Sequence, residues 1–475
     1  MVHPSATGGP GKVIATPPVF PGSDDSSWAE RLLLRGPSEE DCLAVPDPMS
    51  RGTLRRLVAE RGLALRNNGV TTDSAVLVRL PACVEFVTTV LAAWSLDAQV
   101  VVVDHRVPGA AVRGIADTFT PAVIVSTDGD LRAGTSLPAR RQSDHALVQI
   151  SSGSTGLPKA VGRGIAEIEA EVRKTSQMGH LPRAGDTAVL LASFAHMYGF
   201  FAGMMHCLNT GAVLRTPRRM SPQAILTAAH AAPGRATLLG VPFHLDLLTA
   251  LPPRDRPLPA VERFVCSGDV LSPSLRESFT RLYGAPVGQL YGMTETGLIA
   301  ASPDSSVGRG VGRLVPGVIG KFEDGELCVA LDSDPYLFRP DLRNWQDGWF
   351  HTGDAAEIDD EGWVTLHGRT DAQIAIGGLK VNLLEVEQVV RATAGVSDAV
   401  VVFDKDIIAY VQMTYLTSTR ESHAGRVLAD LATRLAPHQR PRRCLVVDEL
   451  PKTPSGKKVR DAARLALSAK TGGAA

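Results

Sequence analysis

The chain lacks any charge bias: 49 Lys plus Arg face 50 Asp plus Glu across 475 residues, a formal charge of -1. It therefore offers no basic field of the kind that holds nucleic acid or an anionic membrane, and its expected partners are small molecules or other proteins. It also lacks a CxxC pair or any metal-type spacing among its six cysteines, Cys42, Cys83, Cys207, Cys266, Cys328 and Cys444. Scattered in this way they read as reduced core thiols of a cytoplasmic protein. The first 25 or so residues contain no continuous apolar run and are rich in Pro, Gly and Ser, so residues 1–25 are expected to be a disordered lead-in rather than a signal peptide. The stretch Thr187 to Leu214 has no Asp, Glu, Lys or Arg and is long enough to span a bilayer. Two histidines, an asparagine and a Ser-to-Gly interruption divide it instead into a buried strand, a loop and a helix. No internal repeat is visible.

What the chain does have is apolar substance, 44% hydrophobic residues, enough for a sizeable core in at least two domains. From about Ser74 a short apolar strand is followed again and again by an amphipathic helix: "SAVLVRL" then "CVEFVTTVLAAWSL", "QVVVVD" then "AAVRGIADTF", "ATLLGVP" then "FHLDLLTAL", "RFVCSG" then "SPSLRESFTRLY", the last with Ser272 as N-cap. That alternation predicts an α/β fold of parallel sheet layered with helices, whose ligands sit at the carboxyl ends of the strands. After about Val307 the texture turns to β segments punctuated by Gly and Asp. A small α+β module of about a hundred residues follows, its first helix opened by Asn382 with Glu385 close to a capping-box position.

Five stretches carry chemistry. "SSGSTGLPK", residues 151–159, follows a strand-like run and precedes a helix-like one, so Gly153 and Gly156 are expected at a strand-to-helix turn. Backbone N–H groups there, joined by Ser151, Ser152, Ser154 and Thr155, suit phosphate oxygens. The stretch is not a GxxxxGK[ST] loop: no hydroxyl residue follows Lys159, and Pro158 stiffens the approach. Taken alone it could equally be a solvent-facing turn. The other four are "YGMTETG" (residues 291–297), "GWFHTGD" (348–354), "HGRTD" (367–371) and "LPKTPSGKKVR" (450–460). Taken singly they have plainer readings: Glu295 as a solvated residue, Tyr291 as core packing, "HTGD" as a β-turn capped by Asp354, and Lys452 and Lys458 as surface charges.

Together, in this order, the five motifs closely resemble the core motifs of the adenylate-forming superfamily, which includes acyl- and aryl-CoA ligases, peptide-synthetase adenylation domains and luciferases. The resemblance covers the chain from about Ser74 to its end. It implies a large N-terminal domain (26–368) of parallel and mixed sheets layered with helices plus β segments, a hinge at 369–371 with Asp371 as the hinge residue, and a small mobile C-terminal α+β domain (372–475). It implies ATP and Mg²⁺ as cofactors. Ser151, Ser152, Gly153, Ser154, Thr155, Gly156 and Lys159 would hold the β- and γ-phosphates. Thr294 would bind phosphate, and Glu295 the metal, as a hard oxygen donor at a strand's carboxyl end. Ser267, Gly268, Asp269, Tyr291, Gly292 and Met293 would flank the adenine. Asp354, assisted by Arg369, would accept the ribose hydroxyls, a task for an acceptor-only carboxylate. Lys457 would bridge the substrate carboxylate and the α-phosphate, screening the repulsion between two anions, while Lys452 and Lys458 are expected to be solvated.

The segment "LASFAHMYGFF" contains no Asp or Glu, so an α-amino acid substrate would leave its ammonium unpaired. His196, Tyr198, Gly199, Phe200 and Phe201 resemble the HxxGFF pattern of ligases for benzoate-type acids, with His196 at the carboxylate end. Phe243, His244, Met293 and Leu298 are candidate walls of the acid pocket. The acceptor expected from the resemblance is the thiol of CoA or of a phosphopantetheinyl carrier protein, delivered past Gly377 to Lys380. Ala375 stands where many relatives have a lysine. An amide synthetase, a nitrite-dependent diazotase and a silent nucleotide-binding module remain open, as do the oligomeric state, a dimer included, and the role of Arg440, Arg442 and Arg443.

Overall fold

The computed structural model describes residues 13–15, 37–127, 131–134, 140–152, 158–250, 261–269, 271–304, 310–338, 344–370, 373–376, 379–452 and 458–471. The protein is a mixed α/β fold with a large N-terminal part and a smaller C-terminal domain. A 15-stranded sheet forms the backbone of the large part. One half is parallel, with Asp41–Ala44, Val213–Arg215, Thr187–Leu190, Ala236–Gly240, Val261–Cys266 and Val287–Met293 side by side. The other half is antiparallel and begins where Val287–Met293 turns back into Gly297–Ser302. A second sheet, of six strands, places Ala75–Val78, Gln99–Val102 and Leu147–Ser152 parallel to one another.

The fully buried strands Ala75–Val78, Gln99–Val102 and Thr187–Leu190 are near-continuous apolar runs, as parallel strands covered on both faces must be. Between the sheets lies a knot of aromatic rings. Phe200 packs 6.4 Å from Phe86, 5.9 Å from Trp94 and 5.1 Å from Phe201, centroid to centroid. The uncharged stretch Thr187 to Leu214 divides as its sequence suggests, into the strand Thr187–Leu190, a wide π-helical segment Tyr198–Met205 running on into His206–Thr210, and the strand Val213–Arg215. No helix among the described residues is long and apolar enough to cross a membrane.

Val13–Ala15 pairs antiparallel with Ile319–Glu323 at an edge of the large sheet. One local expectation is corrected. The phosphate-loop motif does not lie at a strand-to-helix turn. Leu147–Ser152 is followed by a second strand, Pro158–Arg163, in an antiparallel hairpin that pairs Ser151 with Lys159, and the helix Ile165–Ser176 begins only afterwards. The run "KAVGR" alternates side chains across the sheet, a period-2 signal masked by its shortness.

The small domain is a three-stranded sheet, Val396–Asp404, Asp406–Met413 and Arg443–Val447, packed by the helices Leu383–Arg391 and Arg420–Arg434. Asn382 caps the first of these, accepting from the Leu384 N–H at 3.0 Å, while Glu385 reaches the cap's side chain rather than its backbone.

Candidate functional site

The carboxyl ends of the parallel strands in both sheets converge on one region. From the large sheet come the residues after Leu190, Gly240, Cys266 and Met293, and from the six-stranded sheet those after Val102. This is the crevice where open α/β sheets bind ligands.

On one side of it Tyr291 donates its hydroxyl to Asp354 Oδ2 at 2.5 Å, and Arg369 Nη1 lies 3.3 Å from Oδ1 of the same carboxylate and 2.8 Å from the Thr352 carbonyl. Asp354 and Arg369 sit opposite each other on the neighbouring strands Trp349–Ile358 and Trp363–Arg369, so the pairing register itself brings them together. Burial and the adjacent Asp354 charge push the Tyr291 phenol well above its ordinary range, which keeps it a donor. Ser267 is buried, with its N–H bonded to the Gly240 carbonyl at 3.1 Å; Gly268 and Asp269 are exposed beside it. Gly292 and Met293 continue the Tyr291 strand, with an irregularity in register after Tyr291.

Next to this lies the turn that carries Thr294 and Glu295. Tyr336 donates its hydroxyl to Glu295 Oε1 at 2.9 Å, and Lys159 Nζ lies 4.5 Å from the centroid of the Tyr336 ring. Tyr336 is brought in by backbone pairing: the Gly162 N–H bonds the Pro335 carbonyl, and the Leu337 N–H bonds Ala160. One aromatic ring thus joins the phosphate-loop lysine to the carboxylate. Glu295 supplies a hard oxygen donor beside a cationic side chain, a donor set that suits a small divalent ion engaged with phosphate oxygens. Behind the turn, buried Arg163 donates to the Thr294 carbonyl at 2.6 Å, and buried Glu171 accepts from the Leu298 N–H at 2.8 Å.

On the opposite side stands His196, its Nε2 3.1 Å from Asp104 Oδ2. Asp104 follows the strand Gln99–Val102 of the other sheet and is gripped in a fork by Arg106, at 2.8 and 2.7 Å. Burial raises the Asp104 pKa, but hydrogen bonds from Arg106 and His196 outweigh it and hold the carboxyl well below the usual range. The carboxylate missing from "LASFAHMYGFF" is therefore supplied through space, and it is already neutralised.

The structure redistributes the expected pocket walls. Phe200 is fully buried in the aromatic knot, so it backs the crevice from behind rather than facing it. Tyr198 is likewise turned into the core, its hydroxyl donating to the Val265 carbonyl at 2.7 Å. Gly199 passes so close to Ser193 that a Cβ would stand 2.2 Å from its carbonyl oxygen. His244 is buried and inward-facing: its Nδ1 accepts from the Val241 N–H at 3.0 Å, capping the helix Pro242–Thr249, and burial lowers its pKa to about 4. Phe243 is exposed and meets Lys452 of the small domain, whose Nζ lies 4.9 Å from the ring centroid. Met293 is partly buried, and Leu298 is buried beneath the Thr294 turn.

Gly153, Ser154, Thr155, Gly156, Asp371, Gly377 and Lys457 lie outside the described residues, and Ser151, Ser152, Ala375 and Lys380 are described as backbone only. On either side of residues 453–457, Lys452 pairs with Lys458, and the Val459 N–H bonds the Pro451 carbonyl. Lys458 is not solvated, contrary to expectation. It is half-buried and paired with Asp398 at 2.5 Å and Glu387 at 3.7 Å, and Arg460 forms a two-pronged pair with the same Glu387. Sequence reasoning also passed over Asp104, Arg163, Glu171 and Tyr336. Only Glu171 carried a signal, since it shares helical spacing with Ile168, Val172 and Thr175 and so lies on the apolar face.

The chain matches the AMP-binding enzyme family over residues 45–142 and 130–330, and the AMP-binding enzyme C-terminal domain over 385–457. It belongs to the AMP-binding, adenylate-forming enzymes. This enzyme is 29% identical over 391 residues to a 4-chlorobenzoate–CoA ligase of Arthrobacter, covering 76% of this chain and 74% of the relative. It is 28% identical over 491 residues to the p-hydroxybenzoic acid–AMP ligase FadD22 of Mycobacterium tuberculosis, covering 92% and 68%. In fold it resembles a benzoate CoA ligase from Burkholderia xenovorans LB400, with a TM-score of 0.76 at 20% identity over 93% of this chain and 100% of that one. It also resembles the anthranilate CoA ligase AuaEII in complex with anthranoyl-AMP, with a TM-score of 0.78 at 19% identity, over 94% and 98%.

Proposed function

We propose that this enzyme activates an aryl carboxylic acid as its acyl adenylate, releasing pyrophosphate, and then passes the acyl group to the thiol of CoA or of a phosphopantetheinyl carrier. The observation that carries this reading is the joint of Lys159, Tyr336 and Glu295 beside the Tyr291, Asp354 and Arg369 cluster, a cation and a hard carboxylate next to a ribose-type acceptor. The relatives' benzoate-type acids and the aromatic knot behind His196 support an aryl substrate.

In this reading Asp354 shares its oxygens between Tyr291, Arg369 and the ribose hydroxyls, and Lys159 with Thr294 holds the outer phosphates. Glu295 would hold the magnesium ion, which when bound would supply charge neutralisation at those phosphates. His196, oriented by Asp104, lies at the carboxylate end of the acid, and one carboxylate oxygen attacks the α-phosphorus as the bond to the β-phosphate oxygen breaks. Lys457 screens the two anions in that step. Because Asp104 is already paired with Arg106, an ammonium group finds no free counter-charge near His196 among the described residues, which disfavours α-amino acids.

Pyrophosphate exchange with hydroxy-, amino- and halobenzoates, cinnamates and medium-chain fatty acids tests the first half, with exchange expected for one or more benzoates. Product analysis with CoA, a phosphopantetheinyl carrier, amines and nitrite then tests the acceptor. ATP binding without exchange for any acid would overturn the proposal.

A further inference from the structure

The turn from Thr294 to Gly297 is tied down from behind at both ends by buried charges drawn from one hairpin-and-helix unit. At its start, Arg163, the last residue of the strand Pro158–Arg163, donates to the Thr294 carbonyl at 2.6 Å while its guanidinium lies 5.6 Å from the Phe201 ring centroid. At its end, Glu171, from the helix Ile165–Ser176, accepts from the Leu298 N–H at 2.8 Å and pairs with Lys174 at 3.0 Å. Arg163 is 7% and Glu171 1% exposed, so both bonds are made away from water, where a charged partner is strong and its loss costly. Gly297 fits this arrangement alone: it has φ +75°, and a Cβ on it would stand 2.3 Å from Glu171 Oε2. On the open side of the same turn, Glu295 is oriented by Tyr336.

We propose that Arg163 and Glu171 are positioning residues that set the turn so that Thr294 and Glu295 face the outer phosphates and their metal. The proposal rests on the reading of Thr294 and Glu295 given above. Neither residue touches substrate. They act by making the donor pair rigid before the ligand arrives, so that binding does not have to order it. Asp354 and Arg369 of the ribose side belong to other strands, Trp349–Ile358 and Trp363–Arg369, and neither bonds to the clamp; Tyr291 shares the strand that leads into the turn but is held at its own end by Asp354.

Two ligands separate the clamp from general support of the fold. AMP engages the ribose side and has no outer phosphates, whereas MgATP needs the turn. Glu171→Ala and Arg163→Ala are expected to weaken MgATP by ~10-fold, and to raise the Mg²⁺ concentration for half-maximal pyrophosphate exchange by a similar factor, with AMP affinity changed less than about twofold. Glu171→Gln, whose amide oxygen still accepts from the Leu298 N–H, restores most of the loss. Arg163→Lys restores part of it, and these two variants carry the test where an alanine variant folds poorly. Equal weakening of AMP and MgATP, an unchanged Mg²⁺ requirement, or a Gln variant as impaired as the Ala variant overturns the proposal. Wild-type protein that binds AMP but not MgATP overturns the underlying reading of Thr294 and Glu295, and the clamp falls with it.

Discussion

Around Asp354 the candidate site is held by neighbours on one sheet; around His196 it is held by residues that meet only because two sheets are packed together. Asp354 and Arg369 are register partners on adjacent strands, and Tyr291 reaches them from three strands beyond that of Arg369 in the same sheet. His196 depends on Asp104, from the six-stranded sheet, while its backing, Phe200 and Tyr198, is locked into the core. On the reading proposed above, the nucleotide side is thus held by hydrogen bonding and the acid side by packing, so repacking would change the acid and leave the contacts to ATP untouched.

The largest test of that contrast is pH. Three buried histidines, His180, His206 and His244, are lowered to about 4 by burial, and His206 continues the helix that backs His196. Between about pH 4 and the ordinary value near 6.5 the unfolded chain binds more protons than the folded one. Their contribution is therefore complete above about 6.5 and is lost as pH falls through that window, by roughly 3 kcal/mol per histidine. Urea midpoints at pH 7.5, 6 and 5 check this, and a flat profile would count against packing as the acid side's support.

Next in size, Lys457→Ala is expected to slow adenylation by ~100-fold at saturating ATP and acid, measured by pyrophosphate exchange, with both faces still binding their ligands. Asp354→Asn removes the charge that Arg369 pairs with. Calorimetry should show AMP weakened by ~10-fold or more, with the KM for the acid unchanged. Smallest, Asp104→Asn should raise the KM for the acid by about fivefold and leave that for ATP alone. If either of the last two variants moved the other face's constant equally, the two faces would not be independent.

What the sequence displayed and what it concealed follow the same division. The motifs around Tyr291, Asp354 and Lys457 are short and local, so their order along the chain was enough to indicate the family, and the alternating strands and helices indicated the layered sheet. The Asp104 to His196 contact joins residues far apart in the chain, and no local pattern announces it. Lys458 reads as solvated because a lysine beside another lysine usually is, and its pairing depends on Glu387, in the helix Leu383–Arg391 far back in the chain. The phosphate hairpin was misjudged because six residues of strand are too few for alternation to stand out against the helix that follows.

The Lys458, Arg460 and Glu387 network gives the small domain a stiff tip. Both cations stand immediately after the segment that bears Lys457, and they are bolted to the domain's own first helix rather than to the large domain. Lys458 and Arg460 are consequently carried wherever the small domain's first helix goes, as a pen's nib follows the hand.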